Sequence, residues 1–450
     1  MTLILLGLAL VIVAGFGIAL LELTIRRAEV GAALVFLSAV VEAVFVYDVP
    51  SVHVSGARVG VTDVVAVTVL GAGLARCLRL RRFGRYQRWL ILLGFLLLAS
   101  LIRGIAFYGI QPSVNDSRLY IFFVGAALYM ATFRPSVELY DRIGQIWLIA
   151  AVLMMLLACA RWLNVFAGID LGVPAERYGV EIAVRVLNGP YAFFLLGPFI
   201  LTVPSWLRRG HPRWARWFAA LLLVFLMVLD RRTVWAAMLV GVAVLVLRGR
   251  RLGPRAVALL VAGSILTAVF FASDVLVRDD SPSGTTSTGS VTWRVEGWSY
   301  LGASWSESPV NWIVGRPFGS GFAREVEGSK VVSNPHNFYL EVMIRAGLGG
   351  LVAIVALTAG LLGRLWRRVS VSGGAGLFDP SVLPALLATQ IIWYTAWSPG
   401  LEQGIVTGIA IAVSTAGARM PARRRNYHPL PAVPPPVALH RAPAMEEEAT

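Results

Sequence analysis

The sequence predicts an all-α, polytopic membrane protein of about 12–13 transmembrane helices with a large outward-facing loop. Three observations carry that prediction. Hydrophobic residues make up 57% of the chain and charged residues only 14%, where soluble domains carry about 25% charged residues. The mean hydropathy is +0.72. Apolar runs of helix length recur between short arginine clusters, and continuous runs of this kind exclude a membrane barrel, whose strands alternate with period two.

The apolar segments fall at 3–21, 30–47, 59–75, 89–108, 118–133, 145–166, 190–207, 217–230, 233–247, 256–273, 338–361, 381–398 and 403–417. The first, within "MTLILLGLALVIVAGFGIALLEL", lacks a charged leading region and a cleavage site, so it reads as a span rather than a removed signal peptide. The pair around "LDRRT" is short for two spans, and a re-entrant hairpin is the alternative.

Charge decides the arrangement of these segments. The formal charge is +15, almost all from arginine, with Lys330 the one lysine. The arginines cluster at 25–27, 76–88, 207–216, 248–255, 364–368 and 422–425, between apolar segments. That is the positive-inside pattern. It argues for membrane lipids and against nucleic acid as the partner. It also predicts an outward N-terminus, a cytoplasmic C-terminus and outward connections near 48–58, 109–117, 167–189, 230–232, 274–337 and 398–402. Four regions follow: spans with basic cytoplasmic loops over 1–273, a large outer segment over 274–337, C-terminal spans over 338–417, and a proline-rich, disordered cytoplasmic tail over 418–450. Cys77 and Cys159, one in a basic loop and one in an apolar span, argue against a disulfide and against a cysteine metal site. No metal or cofactor is expected.

Chemistry-bearing residues concentrate in the predicted outward connections. In "VTWRVEGWSYLGASW", Trp293, Gly297 or Trp298, and Leu301 recur at helical spacing, which suggests a surface-lying amphipathic helix started by Ser290 or Thr292. On spacing alone, Arg294 either snorkels to lipid head groups or faces a ligand. "GRPFGSGF" over 315–322 is a glycine-rich turn without the lysine of a nucleotide loop. In "SNPHNFYLEVMIRAGLGG", Asn334 is the expected cap and Pro335 the first residue of a late helix. His336 would sit in its first turn, where the helix dipole favours the neutral imidazole that a general base requires. The bland alternative is a histidine that only anchors the helix. Glu341 and Arg345, four apart, are expected to pair on one helix face. Ala346 and Gly350 suggest close helix packing. At the tip "VLDRRTVW", Asp230 stands beside Arg231 and Arg232, whose planar forks suit phosphate oxygens unless Asp230 simply pairs with them.

Together these residues resemble the O-antigen ligase and Wzy-type polysaccharide polymerase superfamily. The resemblance rests on an H-N-x-Y-L helix start followed by glycines, here His336, Asn337, Tyr339, Leu340, Gly347 and Gly350. It rests also on an arginine opening an earlier helix, Arg232 in "RRTVWAA", and on an R-x-x-x-W element matched by Arg294 and Trp298. A G-x-G turn is matched by Gly319 and Gly321, and an arginine before an N-x-P element by Arg185, Asn188 and Pro190. Arg231 stands where the family has serine, which leaves open whether Arg231 or Arg232 faces the substrate. The motifs cover about 180–360.

The resemblance implies a GT-C-like, metal-independent, inverting glycosyltransferase in the inner or plasma membrane, active on the periplasmic or extracellular face. It implies a polyprenyl-diphosphate-linked glycan as donor and a lipid-linked or other glycan as acceptor. His336, Arg294 and Arg232 would be catalytic, and Arg185, Arg231, Asn337 and Tyr339 would bind substrate. Polymerase and ligase are not separated by these motifs. A polysaccharide transporter, for which Glu42 and Arg103 are the candidate buried charges, and a non-catalytic scaffold are the alternatives from other classes.

Overall fold

The computed structural model describes residues 15–45, 50–54, 57–80, 83–172, 186–207, 212–248, 287–326, 329–368 and 378–416. Arg185, the predicted span 256–273 and the proline-rich tail lie outside the described residues.

A helical stretch over 15–26 leads into α1 (Ala28–Phe45), the hairpin β1 (Ser51–Val54) and β2 (Ala57–Gly60), and then α2 (Val61–Cys77), α3 (Arg85–Tyr108), α4 (Ile110–Ala131) and α5 (Val137–Ala167). After the undescribed 173–185 come α6 (Gly189–Thr202), the short α7 (Pro204–Leu207), α8 (Arg213–Val228) and α9 (Arg232–Arg248). The segment expected as an outer loop is ordered as α10 (Ser287–Ser306), α11 (Pro309–Val314) and the hairpin β3 (Arg324–Val326) and β4 (Ser329–Val331). The chain then runs through α12 (Phe338–Arg368), α13 (Leu383–Trp393) and α14 (Leu401–Thr415).

The protein is an all-α polytopic membrane protein that carries two small antiparallel hairpins beside its helices. Five described helical segments are long and apolar enough to cross a membrane: Ala28–Phe45, Arg85–Tyr108, Val137–Ala167, Gly189–Leu207 and Phe338–Arg367. Among the shorter helices, Pro380–Trp393 and Leu401–Thr415 are apolar too. α4 begins eight residues before its apolar run, because its first two turns are polar, with Ser113 and Ser117 buried and Ile110 exposed.

α4 is the centre of the bundle and packs against α2, α3 and α14. Its closest neighbour, α14, approaches through Gly408, where a Cβ would lie 2.5 Å from the carbonyl oxygen of Ala127. α12 packs along α3 but is interrupted at Gly347 (φ 65, ψ −169), a conformation essentially confined to glycine. The break lets α11 lie against it. Gly350 meets Ala346 and Val342 of its own helix across that break, so this small-residue step is used within α12 rather than between helices.

Two sets of connections separate along the helices. The first turns of α2 (Thr62, Asp63) and α4 (Asn115, Arg118), the cap of α6 (Asn188), His336 before α12, and Glu402 in α14 all line one cavity. Arginines at the far ends of two of these helices, α2 and α12, bind backbone carbonyls. Arg76 of α2 donates to the carbonyls of Ile25 and Thr132, and Arg364 of α12 to that of Ser414.

Candidate active site

α10 begins the site. Its buried stripe is Gly297, Leu301 and Trp305, one residue per turn. Leu301 and Trp305 pack with Phe322 and Ile344 into a small apolar cluster that seats the helix on the start of α12. Gly297 is where Arg324 passes, since a Cβ there would stand 2.6 Å from its Nε. On the neighbouring face, the Trp298 indole N–H donates to the carbonyl of Pro335 at 2.7 Å, so α10 grips the residue before His336.

The approach to α12 differs from the expected one. The helix is capped by Asn337, whose Oδ1 accepts from the Leu340 N–H at 3.1 Å and whose carbonyl accepts from that of Glu341 at 2.9 Å. Asn334 and Pro335 lie outside the helix, and His336 sits just before it with left-handed backbone (φ 54). The carboxamide at 337 offers the same capping chemistry as that at 334, and capping there keeps the Pro335 carbonyl available to Trp298. The Phe338 N–H then donates to the Tyr394 carbonyl at 2.9 Å, which pins the helix start to the segment after α13.

His336 is kept neutral, though not chiefly by a helix dipole. Burial is the largest cause and the guanidinium groups of Arg294 and Arg324 add to it, together pushing its pKa down to about 4. Burial also lowers the pKa of both arginines; each nevertheless remains a cation at neutral pH. Arg294 therefore lies within electrostatic reach of His336, as a ligand-facing residue would. Arg324, 2% exposed and donating to the Ser333 carbonyl at 2.6 Å, joins it. Sequence reasoning missed Arg324, because it counted only as one base among several; its one signal is the position three residues after Gly321.

On its other side His336 meets the Trp397 ring at 5.0 Å and 62°. It lines a cavity of about 440 Å³ together with Asn334, Asn188 and Tyr191. Gly189 admits Trp397 here, since a Cβ would overlap its ring at 2.8 Å. Trp397 was not singled out from sequence, and 398–402 was expected only as an outward connection, at the "WSPG" break between two apolar runs.

The remaining predicted residues fall as follows. Arg231 uses Nε and Nη2 to hold the Leu187 carbonyl, at 3.2 and 2.7 Å, next to the cavity-lining Asn188. Arg232 opens α9. Asp230 turns the tip with left-handed backbone (φ 49). Tyr339 donates its hydroxyl to the Ile391 carbonyl at 3.4 Å. Arg103 donates to the carbonyls of Val314 and Gly315, at 3.0 and 3.1 Å.

The expected Glu341–Arg345 pair is replaced by a wider network. Arg345, fully buried, forms an ion pair with Asp116 at 2.5 Å and donates to the carbonyls of Pro317 and Gly321 at 2.9 and 3.0 Å. Its guanidinium stands 4.1 Å from the centre of the Phe322 ring. Glu341 instead accepts from Tyr120 at 2.8 Å and from Ser398 at 2.6 Å. A buried guanidinium carries five donors, and the glycine-rich turn supplies carbonyls that one glutamate cannot. That turn therefore wraps Arg345 rather than a ligand.

Among the described residues no group of three or more His, Cys, Asp or Glu side chains is arranged to hold a metal ion. No curated protein matches the chain. Residues 217–355 match the family described as O-antigen ligase, a stretch that runs from α8 to the middle of α12 and contains His336, Arg294 and Arg324. Over that stretch the chain is similar to the O-antigen ligase family, and so to the superfamily of membrane glycan ligases and polymerases that its motifs resemble.

Proposed function

We propose that the protein is an integral-membrane glycosyltransferase that moves a glycan from a polyprenyl diphosphate to an acceptor hydroxyl on the outward face of the inner or plasma membrane, with its C-terminus in the cytoplasm. The observation that carries this reading is the neutral His336 between two guanidinium groups and a cavity. An unprotonated imidazole beside paired cations is what base-assisted displacement of a diphosphate needs. Arg294 and Arg324 hold the diphosphate, and the motif resemblance adds Arg232 and Arg185 as candidate substrate-binding cations. Arg231, Asn337 and Tyr339 support the site from outside the cavity, through their bonds to the Leu187 carbonyl, the start of α12 and the Ile391 carbonyl.

In the step itself, His336 takes the acceptor O–H proton and the oxygen attacks the anomeric carbon from the face opposite the leaving group. The bond from that carbon to the diphosphate oxygen breaks, and the diphosphate departs with the electron pair, so the configuration inverts. Charge grows on the leaving oxygens in the transition state, where fixed guanidinium groups stabilise it most. A base with a pKa of about 4 is weak in the empty site. A bound diphosphate offsets the field of the two arginines at the ring, so donor binding itself strengthens the base. The activated donor supplies the free energy, and no metal takes part.

The test is glycan transfer by purified protein in liposomes, given a polyprenyl-diphosphate oligosaccharide in the presence of chelator. His336→Ala and Arg294→Ala are expected to lower the rate by at least about 100-fold, in line with loss of a general base or of a transition-state cation. A ladder of products identifies a polymerase and a single transfer a ligase. Wild-type rates in both variants would sink the mechanism.

A further inference from the structure

The cavity beside His336 has a wall that the donor clamp does not use. Phe193, Trp393 and Trp397 stack in sequence, with ring centres 4.4 Å and 5.4 Å apart and planes within 17° and 8° of parallel. Trp397 ends the stack beside His336. Trp393 has a ring packed on each face, so its edge is what it offers the cavity. Trp393 is 1% exposed, and its indole N–H has no hydrogen-bond partner among the described residues. A buried donor of this kind is costly unless something with an oxygen lies against it.

The same cavity also has carboxyl groups in its lining. Glu42, Asp63 and Glu402 line the cavity with a single guanidinium, that of Arg118. Arg118 is already paired with Asp63 at 3.4 Å, and Asp63 also accepts from the Gly60 N–H at 2.7 Å. Glu42 and Glu402 have no cation paired with them among the described residues. The anion-attracting groups, Arg294 and Arg324, and these carboxyl groups therefore lie on separate approaches to the same imidazole. Sugar rings present an apolar C–H face that packs on aromatic rings and an edge of hydroxyl donors that suits carboxylates and amides. A volume of about 440 Å³ holds roughly one or two such rings.

We propose that this cavity is the acceptor-sugar subsite, that it takes a neutral or amino sugar, and that it rejects a uronic acid or other anionic sugar. The inference rests on the transferase reading in naming the sugar an acceptor. Trp397 receives the ring, the Trp393 indole N–H donates to an oxygen of the sugar, Glu42 and Glu402 accept from its hydroxyl or amine donors, and one hydroxyl reaches His336.

The experiment is saturation-transfer NMR on the full-length protein in nanodiscs, with the methyl glycosides of glucose, galactose, mannose, glucosamine and glucuronic acid as probes. Farnesyl diphosphate is titrated into the same samples. The expected result is saturation transfer to at least one neutral or amino glycoside and none to the glucuronide. Trp397→Phe and Glu402→Gln are expected to weaken glycoside binding at least fivefold while farnesyl diphosphate binding and thermal unfolding stay as in wild type. Absence of a signal from every glycoside, equal binding of the glucuronide, or unchanged binding in both variants would overturn the proposal. Glycoside binding without farnesyl diphosphate binding would instead retain the sugar site and sink the donor clamp.

Discussion

His336 reaches its cavity from a left-handed backbone (φ 54), which costs a residue with a Cβ about 1–2 kcal/mol. Two bonds offset that cost, from Trp298 to the Pro335 carbonyl and from Phe338 to that of Tyr394. The imidazole is thereby placed rather than merely attached. Its titration is a direct check on its neighbours, because burial, Arg294 and Arg324 depress its pKa in that order. Only five histidines are present, so ring-labelled protein can be titrated by NMR. Arg294→Gln is expected to move the His336 pKa upward from about 4 but short of 6.5, since burial remains. A value unchanged from wild type would remove Arg294 from the site. The sign for stability follows. Between pH 6.5 and about 4 the unfolded chain binds a proton that the folded chain refuses, so this residue's contribution is full above pH 6.5 and declines as the pH falls. Sequence made His336 and Arg294 legible through motif and spacing. Arg324 was not, because its role depends on a hairpin folding it back beneath α10, and no local pattern marks that return.

Most ends of the long apolar helices were readable to within a few residues, since a span must bury its backbone within itself and the run length reports it. However, α5 begins eight residues before its apolar run (137 against 145) and α12 continues seven beyond it (368 against 361). The starts of α4 and α12 were not readable either. At α4 the first turns are polar but packed, and at α12 two asparagines three residues apart offered equal caps. The break in α12 is likewise a tertiary feature: a Cβ on Gly347 would lie 2.4 Å from the Ile313 carbonyl oxygen. Gly347→Ala is expected to cost about 1–3 kcal/mol in backbone strain alone, with the overlap added, and to lower the thermal unfolding midpoint in detergent. Gly363→Ala, on the same helix with nothing within 4 Å, is the control. It is expected to leave the midpoint unchanged or slightly raised. Equal behaviour of the two variants would show that the break is not needed.

The bundle and the segment over 287–331 are locked together by one buried cation. Arg345 joins Asp116 of α4 to the turn at 317–321, while Glu341, one helical turn earlier, ties Tyr120 of α4 to Ser398. Removing one member of a buried pair leaves the other charge uncompensated. Arg345→Leu is therefore expected to cost about 3–5 kcal/mol, read as a lower midpoint in SDS unfolding. Asp116→Asn keeps an acceptor for the guanidinium and for the Gly319 N–H, and it is expected to cost less, roughly 1–3 kcal/mol. Indifference to Arg345→Leu would mean the segment is held by its apolar cluster and its other hydrogen bonds, such as those from Trp298 and Arg103.

The position of His336 at a seam has a further consequence for how such proteins diversify. The cations beside it come from 294 and 324, the tryptophans of the cavity come from 393 and 397, and its carboxyl groups from 42, 63 and 402. These are separate stretches of chain that meet only at the imidazole and its helix. On the proposed reading, one stretch can drift under selection for a new acceptor while the other keeps its lipid carrier, and neither change disturbs the base. A family organised in this way evolves its two specificities as independent characters.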